Sequence, residues 1–106
     1  MVYGPFSLVD AAAAELTFQL WLDTEKDYDQ VYWLASTDNA AYHGYAKSGN
    51  TGGWVVESLD LTDVPTLGNL VGEQEVWIAL VFISDASIHL PEGVYVDDIL
   101  LRKLVQ

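Results

Sequence analysis

The chain has 106 residues, of which 51% are hydrophobic, and its 16 acidic and 4 basic residues give a net charge of −12. One small domain with a real core is expected at this length, as a single module over residues 1–106. The charge opposes binding to nucleic acids and to anionic membrane surfaces, since both attract Lys and Arg clusters. The longest apolar run, residues 76–83, is too short for membrane insertion. The absence of Cys excludes a disulfide scaffold and thiol chemistry.

The first third of the chain predicts two strands. Residues 2–8 form the first, which Gly4 and Pro5 make an edge strand or an irregular one. Residues 11–14 are four alanines, too few for a stable helix, and predict a connection. Residues 16–22 alternate with period two, the pattern of a half-buried strand. One face holds Leu16, Phe18, Leu20 and Leu22, and the other holds Thr17, Gln19 and Trp21.

The rest of the chain continues as short strands between turn signals. The segment 47–53 is the strongest loop, because three Gly and an Asn permit positive φ. The segment 75–84 has apolar residues at both odd and even positions, and these alternate positions point to opposite faces of a strand. This favours a central strand covered on both faces. A long connection is expected over 63–72. The remaining predicted strands are 30–36, a short one within 41–46, 54–61 and 93–101.

These elements predict an all-β domain. Seven or eight strands with a turn about every ten residues indicate a two-sheet antiparallel β-sandwich. A jelly-roll topology and an immunoglobulin-like topology both fit this spacing.

Motifs of catalysis are missing from the sequence. It contains no Gly-x-Ser-x-Gly nucleophile elbow and no Gly-x-x-x-x-Gly-Lys phosphate loop. His43 and His89 have no partner at zinc-ligand spacing. We therefore expect a protein that is not an enzyme. A small hydrolase remains an alternative hypothesis. It requires two convergent carboxylates or a Ser–His pair in a cleft.

An acidic doublet, Asp97-Asp98, lies within the last predicted strand. Adjacent strand residues point to opposite faces, so one carboxylate is expected to point inward among apolar neighbours. Burial of a carboxylate is costly unless it is hydrogen-bonded, paired or bound to a metal. Calcium takes oxygen ligands, and Asp23 and Glu25 at the end of an earlier strand could supply the others. The alternative is a carboxylate that only accepts bonds from backbone amides.

Aromatic residues are abundant, with four Trp and six Tyr. Exposed aromatic faces stack on sugar rings through apolar burial, which is how many sandwich domains bind carbohydrate. Core packing is the alternative, and it is favoured for Trp77. The candidate ligand-binding residues are Trp21, Trp33, Trp54, Tyr42 and Tyr45.

Seven short motifs follow one another along the chain, at 21–25, 28–29, 32–38, 53–54, 59–61, 76–85 and 93–99. This series resembles the jelly-roll accessory domains of secreted bacterial peptidases and surface proteins, of the MAM-like or immune-inhibitor-A type. The final motif is also similar, more distantly, to that of calcium-binding carbohydrate-binding modules. The resemblance implies a secreted, non-catalytic β-sandwich, often with a structural calcium, here held by Asp97 or Asp98 with Asp23 or Glu25.

Together these features predict a non-catalytic carbohydrate-binding module of a secreted bacterial protein, with a structural calcium. Its partner would be a polysaccharide or a cell-surface glycan, and the module would belong to a larger parent protein. The alternative is a structural or adhesion accessory domain that binds no sugar.

Overall fold

Seven strands account for most of the residues that the computed structural model describes, which are 1–23, 30–83 and 93–105. These residues contain no helix. The prediction of an all-β domain is therefore confirmed. The strands are β1 (Val2–Phe6), β2 (Ala11–Asp23), β3 (Gln30–Ser36), β4 (His43–Lys47), β5 (Val55–Asp60), β6 (Val76–Ile83) and β7 (Gly93–Val105).

The strands form two antiparallel sheets that pack face to face. One sheet has the order β1-β6-β3-β4 and the other has the order β5-β2-β7. The pairs β2–β7 and β3–β6 are nested in sequence but lie in opposite sheets, so the chain passes back and forth between the two layers. This confirms the two-sheet antiparallel sandwich. It also places β1 at an edge and β6 in the centre of its sheet, as predicted.

The core lies between the sheets and follows the alternation of β2. Leu16, Phe18, Leu20 and Leu22 are each at most 1% exposed, while the residues between them face solvent. Removal of this apolar surface from water is the main force that holds the two layers together. The buried residues of other elements in the same cluster are Leu8, Val31, Trp33, Ala35, Leu59, Leu61, Val64, Leu70, Val76, Ile78 and Leu80.

The prediction of a connection at residues 11–14 is wrong, because these alanines begin β2. Ala11 pairs with Val105 and Ala14 pairs with Lys103 of β7. Both alanines are buried, and the Ala14 carbonyl accepts the backbone N–H of Leu61 at 2.9 Å. Tertiary pairing and close packing of small side chains thus override the weak β propensity of alanine.

A bulge interrupts β7 at the acidic doublet. Asp97 lies opposite Gln19, but Leu100 lies opposite Thr17, so one residue of β2 faces two residues of β7. Asp98 has φ of 52°, the left-handed conformation that Asp tolerates better than most residues. The extra residue resets the alternation of inward and outward side chains along β7.

Replacement of Gly44 by Ala is expected to destabilise the domain. A Cβ at this position would overlap the carbonyl oxygen of Trp33 on the neighbouring strand β3, which is backbone and cannot rotate away. We expect a loss of about 1–3 kcal/mol in the free energy of unfolding, measured by urea denaturation. The control is Ala46→Ser, an exposed position on the same strand, for which a change below about 0.5 kcal/mol is expected. Equal stability of the two variants would contradict the close approach of β3 and β4.

Candidate functional site

Three aromatic residues form a row across the outer face of the three-stranded sheet. Trp21 in β2 lies opposite Tyr95 in β7. Trp54 immediately precedes β5, and its ring meets that of Trp21 edge to face, with centroids 5.7 Å apart and planes at 81°. The exposed fractions are 46% for Trp54, 39% for Trp21 and 47% for Tyr95. We call these three residues the aromatic row.

The glycine-containing loop 47–53 places Trp54 beside Trp21. The backbone N–H of Thr51 donates to the Leu22 carbonyl, and the Leu22 N–H donates to the Thr51 hydroxyl oxygen, both at 3.1 Å. That hydroxyl in turn donates to the Gly53 carbonyl at 2.6 Å. Gly52 and Gly53 have φ of 72° and 144°, which glycine adopts without strain. These bonds fix the loop to the end of β2, so that the start of β5 lies beside Trp21.

Polar residues follow the aromatic row along the same outer face. The next row holds Val56, Gln19 and Asp97, as the registers of β5, β2 and β7 show. The last row, Asp60, Glu15 and Arg102, lies six residues of β2 from Trp21, or about 20 Å at the rise of an antiparallel strand. Between the row of Gln19 and the row of Glu15 lies one further row, which holds Ser58, Thr17 and Leu100. The outer face therefore combines aromatic rings at one end with hydrogen-bonding side chains along its length.

A depression of about 470 Å³ lies at the charged end of the outer face, away from the aromatic row. Glu15 accepts a hydrogen bond from the Arg102 guanidinium there. Asp60, directly opposite Glu15, accepts the hydroxyl of Thr62 at 2.6 Å and the Thr62 backbone N–H at 2.9 Å. These two bonds from Thr62 lower the pKa of Asp60.

This carboxylate pair bears on the hydrolase hypothesis. A general acid near neutral pH needs a raised pKa, so that it holds a proton to donate. Asp60 has the opposite perturbation, because Thr62 donates two hydrogen bonds to its carboxylate, and it therefore suits hydrogen-bond acceptance rather than acid catalysis. Glu15 is paired with Arg102.

The aromatic candidates from the sequence fall into three places. Trp21 and Trp54 come together in the aromatic row. Trp33 does not join them: it is 4% exposed and packs edge to face on Phe18, so its assignment as a ligand-binding residue is wrong. The two tyrosines lie by the other sheet.

Tyr45 and Tyr42 lie on or beside β4, an edge strand of the four-stranded sheet. Tyr45 is 45% exposed, and its ring centroid is 6.2 Å from that of Trp33. Tyr42 donates its hydroxyl to Asn39 Oδ1 at 2.5 Å, and its pKa is raised by burial and by the charge of Asp38. The sequence candidates are thus split between two sheets, and only the two tryptophans form one surface.

Sequence reasoning did not select Tyr95, although it completes the row. The signal was present, because Tyr95 and Asp97 share one parity of β7 while the apolar Val94 and Val96 share the other. The polar Asp97 marks the side of β7 that it shares with Tyr95 as the outward one, as Thr17 and Gln19 do in β2.

The burial predicted for the acidic doublet is wrong. Asp97 and Asp98 are both exposed, because the bulge turns Asp98 out of the alternation and β7 is an edge strand. Asp97 lies opposite Gln19, four residues of β2 from Asp23, or about 13 Å. Glu25 and the side chain of Asp23 lie outside the described residues. Within the described part of the chain, no group of three or more His, Asp or Glu residues could hold a metal ion.

The calcium therefore stays a prediction. An ion that binds only the native state raises the melting temperature, so thermal unfolding in calcium and in chelator tests it, with magnesium at equal ionic strength as the control. We expect Asp98→Asn to keep any stabilisation that calcium gives the wild type. Asn tolerates the left-handed backbone at this position. Loss of a calcium effect in this variant would show that Asp98 is a ligand.

Comparisons with known proteins leave the family open, since no protein-family model and no curated protein matches this sequence. Among the residues that the structure describes, no helix has the length and apolar character that a membrane crossing needs.

Proposed function

We propose that this domain is a non-catalytic carbohydrate-binding module of a secreted bacterial protein, and that it binds its glycan on the outer face of the three-stranded sheet. The aromatic row is the observation that supports this most directly. Three neighbouring rings, each at least 39% exposed, are costly to leave in water unless a ligand covers them. Sugar rings present apolar C–H surfaces that pack on such faces.

The polar neighbours of the aromatic row support the same proposal. Gln19 and Asp97 stand one row further along the face, and Thr17 and Ser58 stand in the row beyond. Amide, carboxylate and hydroxyl groups are suited to the many hydroxyls of a glycan. The length of about 20 Å between the first and last rows would accommodate several sugar units of an extended polymer.

The test is direct binding to a panel of β-glucans, xylans and chitin, by affinity electrophoresis and calorimetry. We expect saturable binding to at least one polymer, together with a change in tryptophan fluorescence as the row is covered. A correctly folded protein that binds none of the panel would remove the carbohydrate proposal.

A second candidate is a structural or adhesion module that docks another protein on this face. It is favoured by apolar residues that share the face with the aromatic row: Val56 is 70% exposed, Leu100 48% and Leu104 65%. Quenching of tryptophan fluorescence distinguishes the two candidate functions. In the docked parent protein the fluorescence of Trp21 and Trp54 would be shielded from a soluble quencher without sugar, whereas a glycan site stays open to the quencher until sugar is added.

A further inference from the structure

The aromatic row and its charged neighbour define which class of glycan the outer face accepts. Trp21 and Trp54 meet edge to face, at 81°, and their rings are partly exposed on the same outer face as Tyr95. The negative face of an exposed aromatic ring attracts a cation. Asp97 stands on the same outer face, diagonal to Trp21 across the β2–β7 pair, at about 7–8 Å.

Asp97 has capacity for a ligand. Its Oδ1 accepts the backbone N–H of Asp98 at 2.8 Å, the one bond described for this carboxylate within residues 1–23, 30–83 and 93–105. The side chain is exposed on the outer face beside the rings. It can therefore accept a charge-assisted hydrogen bond from a cationic group that lies against the Trp21 ring on the side of β7.

Positive charge is scarce elsewhere on the surface. Of the four basic residues, three lie in the described part of the chain, and each is paired with a carboxylate. The pairs are Lys47–Glu57, Arg102–Glu15 and Lys103–Asp10. A net charge of −12 attracts cationic polymers and repels anionic ones, over a range set by ionic strength.

We propose that the glycan is one whose sugar units bear free ammonium groups, as in a β-1,4-linked glucosamine polymer. This inference rests on the proposed function. The sugar ring packs on the aromatic row, its ammonium group lies against the Trp21 ring on the side of β7, and Asp97 accepts a hydrogen bond from it. Glycans with carboxylates or sulfates are rejected, because the face offers them acidic groups and cations that are already paired.

The test compares a glucosamine oligomer with its fully N-acetylated counterpart of equal length, so that only the charge on nitrogen and the acetyl group differ. By calorimetry at low salt we expect the charged oligomer to bind about tenfold more tightly, since exposed cation–π contacts and ion pairs each contribute modestly. The ratio of the affinity for the charged oligomer to that for the acetylated oligomer should fall as salt is added. Asp97→Asn, which keeps the Oδ1 acceptor for Asp98, should lower the ratio severalfold.

Glu73→Gln is the matched control for Asp97→Asn. It removes the same charge from an exposed residue whose backbone carbonyl bonds to Leu8, away from the aromatic row. We expect this variant to keep the wild-type ratio. A neutral glycan that binds as well as the glucosamine oligomer would overturn the ammonium proposal and leave the carbohydrate function intact. Failure of every glycan, charged or neutral, would overturn the proposed function itself.

Discussion

Trp21→Ala is expected to weaken glycan binding by about 30-fold or more while the domain stays folded. Trp21 is the middle residue of the aromatic row, next to Trp54 on one side and Tyr95 on the other. Truncation of a central aromatic at a binding surface typically costs about 2 kcal/mol or more, and each 1.4 kcal/mol is a tenfold change in affinity. The same truncation removes the edge-to-face partner of the Trp54 ring, so this ring pair is lost together with the central stacking surface.

The cost to stability should be small by comparison. Trp21 is 39% exposed and faces away from the core, and an aromatic pair contributes about 0.5–1.5 kcal/mol beyond area burial. We therefore expect a loss near 1 kcal/mol in the free energy of unfolding. Calorimetric titration with the best glycan of the panel and urea denaturation, run on the same preparation, separate the two effects.

Tyr3→Ala is the control for Trp21→Ala. Tyr3 is 54% exposed and lies on β1 at the edge of the other sheet, with its ring stacked on Phe6. It removes a similar exposed ring from a surface that the proposal does not use, so wild-type affinity is expected. If Trp21→Ala and Trp54→Ala both bind glycan like the wild type, the ligand does not occupy the outer face.

The sequence determines the faces of β2 better than those of β3. In β2, Thr17 and Gln19 mark the outward side, so the outward direction of Trp21 follows from alternation alone. In β3 both parities are apolar, with Val31 and Trp33 on one side and Leu34 on the other, so alternation cannot say which side is the core. The pattern of β3 therefore does not exclude Trp33 from a binding surface, although the structure buries it.

The acidic doublet shows a different limit. Strict alternation requires Asp97 and Asp98 to face opposite ways, and the expected burial of one carboxylate rests on that alternation. A bulge adds one residue and cancels the alternation locally, and its φ of 52° at Asp98 is a property of the pairing with β2 rather than of the doublet. The position of β7 at a sheet edge is likewise set by partners that are distant in sequence, such as Leu16 and Trp21. The fold class follows from local patterns, but the site depends on which strands become neighbours.

Trp33→Ala is expected to lower the free energy of unfolding by about 3–5 kcal/mol, the largest stability effect among the variants considered. The Trp33 ring is 4% exposed and packs edge to face on Phe18 of the opposite sheet, with centroids 5.5 Å apart. Truncation removes that apolar area from the core and leaves a cavity that the two sheets cannot fill without moving. Its indole N–H also donates to the Ser58 carbonyl at 3.2 Å, a bond that joins β3 to β5 across the sandwich.

Such a loss is a large fraction of the total stability of a small domain, about 5–15 kcal/mol, so the variant could fail to fold. Trp33→Phe keeps the prediction measurable, because it retains a ring in the core and removes the hydrogen bond and part of the volume. We expect this variant to lose about 1–3 kcal/mol, between the wild type and Trp33→Ala. Urea denaturation followed by circular dichroism gives both values, with Trp21→Ala as the exposed-tryptophan control. If Trp33→Ala costs no more than Trp21→Ala, the packing of Trp33 between the sheets is wrong, and its exclusion from the binding surface fails with it.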